Sequence, residues 1–172
     1  MTEAWAVDLG LFLLRGILGV VMLAHGINHV FRGGKIKGTA GWFASMGMRP
    51  ALVHAWLASL VEIGAGVALL GGLLTSLACA GVVGITAVAF IINHRKNGFF
   101  IFRPGEGYEY VLTLAVAATA LALVGPGGWS LDDVVGVVGD LDGGVGLVIV
   151  LVGGLGGALA TVATSWRPSP KA

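Results

Sequence analysis

The chain is 172 residues long, with a mean hydropathy of +0.93 and only 11% of its residues charged. Soluble domains carry about twice that charged share, so these apolar residues cannot all be hidden inside a water-facing globule, and lipid must be part of the solvent. The net charge of +1 selects no partner, and a single cysteine, Cys79, excludes an internal disulfide and C-x-x-C chemistry.

In chain order, Met1 to Leu9 carries Glu3 and Asp8 but no basic residue. A secretory signal opens with a basic region and has a shorter apolar run, so this segment reads as the start of a retained helix. Five apolar runs are predicted to be helices: Leu9–Phe31, Ala51–Leu73, Ser76–Asn93, Tyr108–Val124 and Val145–Ser165. Each is near the ~20 residues a helix needs to cross ~30 Å of hydrocarbon, although the third and fourth are short. The fifth has the weakest helix propensity, because Gly153, Gly154, Gly156 and Gly157 fall inside it. Lipid penalises unpaired backbone groups enough to hold a glycine-rich helix together. Gly153 and Gly157 also form a G-x-x-x-G, a spacing that lets helices approach closely but that arises easily by chance in such a run.

The connections alternate in charge. Nine of the ten basic residues follow the odd-numbered runs: Arg32, Lys35, Lys37 and Arg49, then Arg95, Lys96 and Arg103, then Arg167 and Lys171. The other side receives the acidic N-terminus, the uncharged Gly71–Thr75 turn, and Asp132, Asp133, Asp140 and Asp142. The positive-inside rule then places the N-terminus outside and the C-terminus in the cytoplasm of a multi-pass plasma-membrane protein. It also favours the fifth helix, without which Arg167 and Lys171 would share the outer side with four aspartates. Trp5 and Trp129 fall near the outer boundary, and Trp42 and Trp166 near the inner one, as an aromatic belt requires. Thr39–Met48 reads either as a short interfacial helix or as a loop packed beneath the bundle. The unusually apolar Asn97–Glu106 loop is expected to dip back as a partial plug, with Pro104-Gly105 turning into the fourth run.

The functional signal lies in ionisable residues within the runs, where a mid-membrane charge costs roughly 2.5–3.5 kcal/mol and normally finds a partner inside the bundle. At 100° per residue, Arg15, Met22, His25 and His29 fall within an arc of roughly 80° and form one stripe. An antiparallel second run puts Glu62 between the levels of Arg15 and His25. An Arg15–Glu62 ion pair, with His25 in reach, is the expected arrangement; it serves either a polar site or helix register alone. The histidines His25, His29, His54 and His94 all fall in the cytoplasmic half, with Glu106 and Glu109 entering there too. His25 and His29 have the i, i+4 spacing of two metal ligands, and His94 with Glu109 would complete a divalent site. Because H-x-x-x-H is a low-specificity match, metal or haem is the less favoured reading, and proton relay or quinone-headgroup binding needs neither. Asn93, Asn97, Tyr108 and Tyr110 could supply hydrogen bonds to a headgroup, with interface anchoring the better reading for Tyr110. No phosphate loop, dinucleotide fingerprint, nucleophile elbow or nucleic-acid module is present.

These residues, in order, resemble the DoxX family of small bacterial membrane proteins, most closely an actinobacterial branch. The resemblance rests on Leu13-Leu-Arg15, Ala24-His25-Gly26, Trp42-Phe43-Ala44, Leu60-Val-Glu62, Lys96-Asn97-Gly98-Phe99 and Gly107-Tyr108-Glu109-Tyr110. It ends at Gly125-Pro126-Gly127 with Ser130-Leu131-Asp132, and so covers roughly residues 9–135. His29 stands where a lysine is usual, which removes a fixed positive charge from that position. The resemblance implies an all-α, four-helix membrane bundle, to which this chain adds a fifth helix. The expected organisation is a short extracytoplasmic N-terminus (1–8), the four-helix domain (9–135), an acidic outer loop with the fifth helix (136–166) and a cytoplasmic tail (167–172).

The resemblance also implies a redox setting. Some relatives look like small subunits of thiosulfate:quinone oxidoreductases, and one is associated with superoxide dismutase and a sulfurtransferase. The leading expectation is therefore a membrane component of a redox-homeostasis or quinone-linked system. Its polar cluster of Arg15, His25, Glu62, His94 and Glu109 would bind a quinone or small sulfur substrate, with His29, Asn97 and Tyr108 as headgroup contacts. The alternatives are a non-catalytic scaffold that recruits soluble oxidative-stress enzymes through its basic loops, and a small transporter or proton path. Whether it catalyses a reaction, and whether it forms oligomers, are left open.

Overall fold

All five apolar runs fold as helices in the structure, a computed structural model that describes residues 3–168. In order, α1 spans Ala4–Phe31, α2 Lys35–Ser45, α3 Ala51–Gly71, α4 Thr75–Ile92, α5 Glu109–Val124, α6 Leu131–Val134 and α7 Gly143–Ser165. The expected cytoplasmic tail is described only through Pro168, so Lys171 lies outside the described residues. At 1.5 Å per residue, α1, α3, α4 and α7 are roughly 27–42 Å long and α5 is roughly 24 Å. The four longer helices have the length and composition to cross a membrane, and α5 is a shorter apolar helix. Leu13, Ile17, Val20, Val116, Val152 and Leu159 are each more than half exposed. A continuous apolar surface of this kind suits lipid and not water. The Thr39–Met48 segment is largely helical, as part of α2, and brings Trp42 and Phe43 together with ring centroids 5.4 Å apart.

The helix ends show how the acidic end is closed. α3 stops at Gly72, whose φ of 64° suits glycine; Gly72 N donates to Leu69 O at 3.2 Å and Leu73 N to Ala68 O at 2.9 Å. α4 begins at once, its first free amides satisfied from far along the chain: Leu74 N and Thr75 N donate to the buried Asp132 carboxylate at 2.7 and 2.9 Å. Asp132 is held in turn by α6, capped by Ser130, whose hydroxyl accepts from Asp133 N at 3.2 Å.

Glycines set the packing. A Cβ added at Gly66 of α3 would lie 2.9 Å from Gly19 O and 2.9 Å from Leu23 N of α1, and one at Gly26 would lie 3.0 Å from Ser59 O. The two backbones therefore touch, and α1 and α3 form a close antiparallel pair. α4 occupies the centre, packed against α3, α5 and α7 around a core that includes Leu69, Cys79, Val82, Leu121 and Val150. α7 starts beside α5 and crosses α4 on its way to the opposite end. It makes the crossing through Gly154, where a Cβ would meet Ala80 O at 2.9 Å. The expected G-x-x-x-G is not the contact: at Gly153 a Cβ would meet only Ala80 Cβ at 3.7 Å, and at Gly157 nothing within 4 Å. The low helix propensity of this run shows instead as a π-helical stretch, Ile149–Gly156, which keeps the backbone bonded while widening the turn.

At the basic end, α7 is clipped to the α2–α3 connection. Arg49 N donates to Ser165 O and Arg167 N to Gly47 O, both at 2.8 Å, and Trp166 Nε1 donates to Met46 O at 2.9 Å. Gly47 has a φ of 91°, and a Cβ there would sit 2.6 Å from Arg167 O. Gly47→Val is thus expected to open the clip and lower the thermal midpoint in detergent, at a cost of about 2 kcal/mol. Protease cleavage near residue 166 should rise in parallel, and an unchanged cleavage rate would count against the clip.

Candidate functional site

The polar stripe on α1 divides between two places. Arg15 and Glu62 do not pair, contrary to expectation. The α1–α3 register, set by Gly19 on Gly66 and Gly26 on Ser59, brings Arg15 opposite the end of α3. That is about nine residues, or roughly 14 Å, from the level of Glu62. There the buried guanidinium donates to Leu69 O at 3.1 Å, to Leu70 O at 2.8 Å and to Trp129 O. These are carbonyls of the last turn of α3 and one from the acidic-end loop. Arg15 therefore closes the acidic end.

Glu62 pairs with His29. His29 Nδ1 lies 3.0 Å from Glu62 Oε2, with the side chains 14% and 5% exposed. The two atoms are out of line for a hydrogen bond, so both keep unspent hydrogen-bonding capacity while buried. One turn away on α1, His25 Nε2 is 3.5 Å from the Tyr110 hydroxyl, and the two rings stack at 6.1 Å. Both pairs line one cavity of about 760 Å³ that extends from the middle of the bundle to the basic end. His54, His94 and Glu106 lie along it, Trp42 and Phe43 of α2 cover it, and apolar residues of α3, α4 and α7 form its walls. α7 is thus a wall of the cavity, more than the added packing surface its sequence suggests.

The remaining expected residues serve the loop beside the cavity. Glu109 accepts from Ile101 N at 3.1 Å; Asn97 Nδ2 donates to Asn93 O, Gly105 O and Glu106 O at 3.2, 2.6 and 3.0 Å. Tyr108 packs edge-on against Phe90 and Phe99 at 5.4 and 5.5 Å. The apolar 97–106 loop sends only Ile101 and Glu106 to the cavity, while Phe102 is 78% exposed. His25, His29, His94 and Glu109 do not gather, and no group of three or more potential metal ligands occurs among the described residues. Tyr110, named among the possible headgroup donors but better read as an interface anchor, stands beside His25, a contact that spacing does not reveal because the two helices are distant in sequence.

A helical bundle ringed by apolar side chains, with its ionisable groups turned inward to a knot at one end and a cavity at the other, defines a multi-pass integral membrane protein. The family model described as DoxX matches residues 10–95, half of the chain, and the protein belongs to that family. No curated protein and no solved structure matches it.

Proposed function

We propose that this DoxX-family protein is a plasma-membrane component of a redox-homeostasis or quinone-linked electron-transfer system, with its basic end toward the cytoplasm, and that its cavity binds a lipid-soluble quinone or a small sulfur compound. The observation that carries this reading is the buried His29–Glu62 pair, whose unspent polar atoms border a cavity with mostly apolar walls. A volume of about 760 Å³ lies within the ~300–1,000 Å³ of typical ligand sites, and a few convergent polar groups in apolar walls are what orient an amphipathic molecule. His29–Glu62 and His25–Tyr110, one helical turn apart on α1, offer two polar contacts to the two oxygens of a quinone ring. In the reduced, quinol form Glu62 accepts from a ring hydroxyl, and in the oxidised form Tyr110 donates to a ring carbonyl.

The test is titration of the purified protein in lipid nanodiscs with menaquinone and ubiquinone analogues. Glu62→Gln keeps the size of the side chain but replaces the accepting carboxylate, and is expected to weaken binding of the reduced, quinol forms about 10- to 100-fold, the loss for a charge-assisted hydrogen bond of about 1.5–3 kcal/mol. Absence of saturable binding to the unsubstituted protein would remove the quinone reading.

The basic end supports a second reading. Arg32, Lys35, Lys37, Arg49, Arg95, Lys96, Arg103 and Arg167 are all exposed there, and none forms an ion pair among the described residues. Such a surface suits recruitment of acidic soluble partners, including redox enzymes such as superoxide dismutase or a sulfurtransferase. Charge reversal at Lys35 and Lys37 would release such partners without altering quinone binding.

A further inference from the structure

α3 and α7 meet at the basic end through the clip, but they do not pack along one another through the membrane; α4 lies between them as a floor. A groove results, open on its outer side. Its walls are Leu57 and Val61 of α3, Gly81 of α4, and Gly153, Gly157 and Ala158 of α7, all of which line the same cavity as the two polar pairs. Leu57 is 49% exposed, so the groove reaches the lipid-facing surface. The α7 wall is low because Gly153, Gly154 and Gly157 fall in it: Gly154 also carries the contact with α4, whereas Gly157 has nothing within 4 Å of where a Cβ would stand. A second feature turns this stripe of small residues into a site. Next to Val61, Glu62 is 4% exposed, lines the same cavity, and its carboxylate oxygen facing His29 at 3.0 Å makes no aligned hydrogen bond.

We propose that the groove between α3 and α7 receives the isoprenoid chain of the cavity's ligand, which enters sideways from the bilayer while its ring passes to the His29–Glu62 pair. This rests on the quinone reading of the cavity and adds to it a route and a chain subsite. Apolar walls at one end of a continuous space and hydrogen-bonding groups at the other match a ligand with a long tail and a polar ring. Entry from the side also avoids the basic end, where α2 and the clip cover the cavity. A tail lying in the groove stays in an apolar environment throughout, so moving the ligand inward costs only desolvation of its ring.

Gly157→Leu tests this, because the leucine would project into open space and fill the groove with no neighbour to displace. Gly16→Leu is the control: it too has nothing within 4 Å, but it lies on α1 outside the cavity. Menaquinone with a full isoprenoid chain and menadione, which carries the same ring without the chain, are titrated against all three proteins in nanodiscs. The expected result is that Gly157→Leu weakens menaquinone about tenfold while menadione binding and the Gly16→Leu protein are unaffected. If the unsubstituted protein binds both quinones and Gly157→Leu leaves menaquinone binding unchanged, the chain subsite is overturned and the headgroup reading stands. If it binds neither quinone, the headgroup reading fails and the subsite falls with it. A change of oligomeric state in Gly157→Leu without loss of menaquinone would assign the groove to a second copy of the chain and overturn the proposal.

Discussion

Arg15→Met is expected to destabilise the folded bundle by about 3 kcal/mol or more, because three carbonyls lose their donor and each buried group left unsatisfied costs about 1–3 kcal/mol. The guanidinium is 2% exposed and ties together three carbonyls from two parts of the chain, Leu69, Leu70 and Trp129. Methionine fills similar volume but satisfies none of them. Asp132→Asn should be damaging for a related reason, since the carboxylate caps α4 through Leu74 N and Thr75 N. Because both act on one knot, the double substitution should cost less than the sum of the two. Denaturant unfolding in detergent micelles measures all three. Arg32→Met, on an exposed basic residue, should change stability by no more than about 0.5 kcal/mol. A similarly small effect for Arg15→Met would show that the acidic end holds without the knot.

The second large effect is steric. Gly66→Leu is expected to cost about 3 kcal/mol, the upper range for overpacking, because its Cβ alone would stand 2.9 Å from both Gly19 O and Leu23 N. Those neighbours are backbone and cannot rotate away, so α1 must move off α3. That movement separates His29 on α1 from Glu62 on α3, so loss of quinone binding should accompany the loss of stability. Gly64→Leu, two residues away, provides the contrast: nothing lies within 4 Å of its Cβ position, and leucine has the better helix propensity. Unfolding of the two variants side by side decides the point, and equal stabilities would mean that the α1–α3 contact is looser than described.

The helices themselves are legible in the sequence because apolar run length maps directly onto the thickness a helix must cross. The register between them is not. Thirty glycines are available, and which of them touch another backbone depends on how each helix is rotated; Gly66 and Gly154 do, whereas Gly157 does not. The partner of Arg15 was misread for the same reason, since an error of a few residues in register exchanges Glu62 for carbonyls at a helix end. The α1 stripe correctly brings His25 and His29 to one face, and His29 is further marked by standing where lysine is usual in the resemblance. Tyr110 and the α7 wall lay beyond periodicity arguments, because they reach the cavity through the packing of separate helices.

The clip between Trp166 and Met46 joins residues 120 positions apart. A ribosome delivers the chain from its N-terminus, so α1 to α5 enter the membrane before the segment that completes the cavity exists. Until α7 is made, the face of α4 carrying Ala80 and Gly84 is open to lipid, and the half-built protein is an open-sided trough. Only when α7 crosses α4 does the cavity gain that wall. A truncation before residue 143 would leave a membrane protein whose cavity lacks its α7 wall.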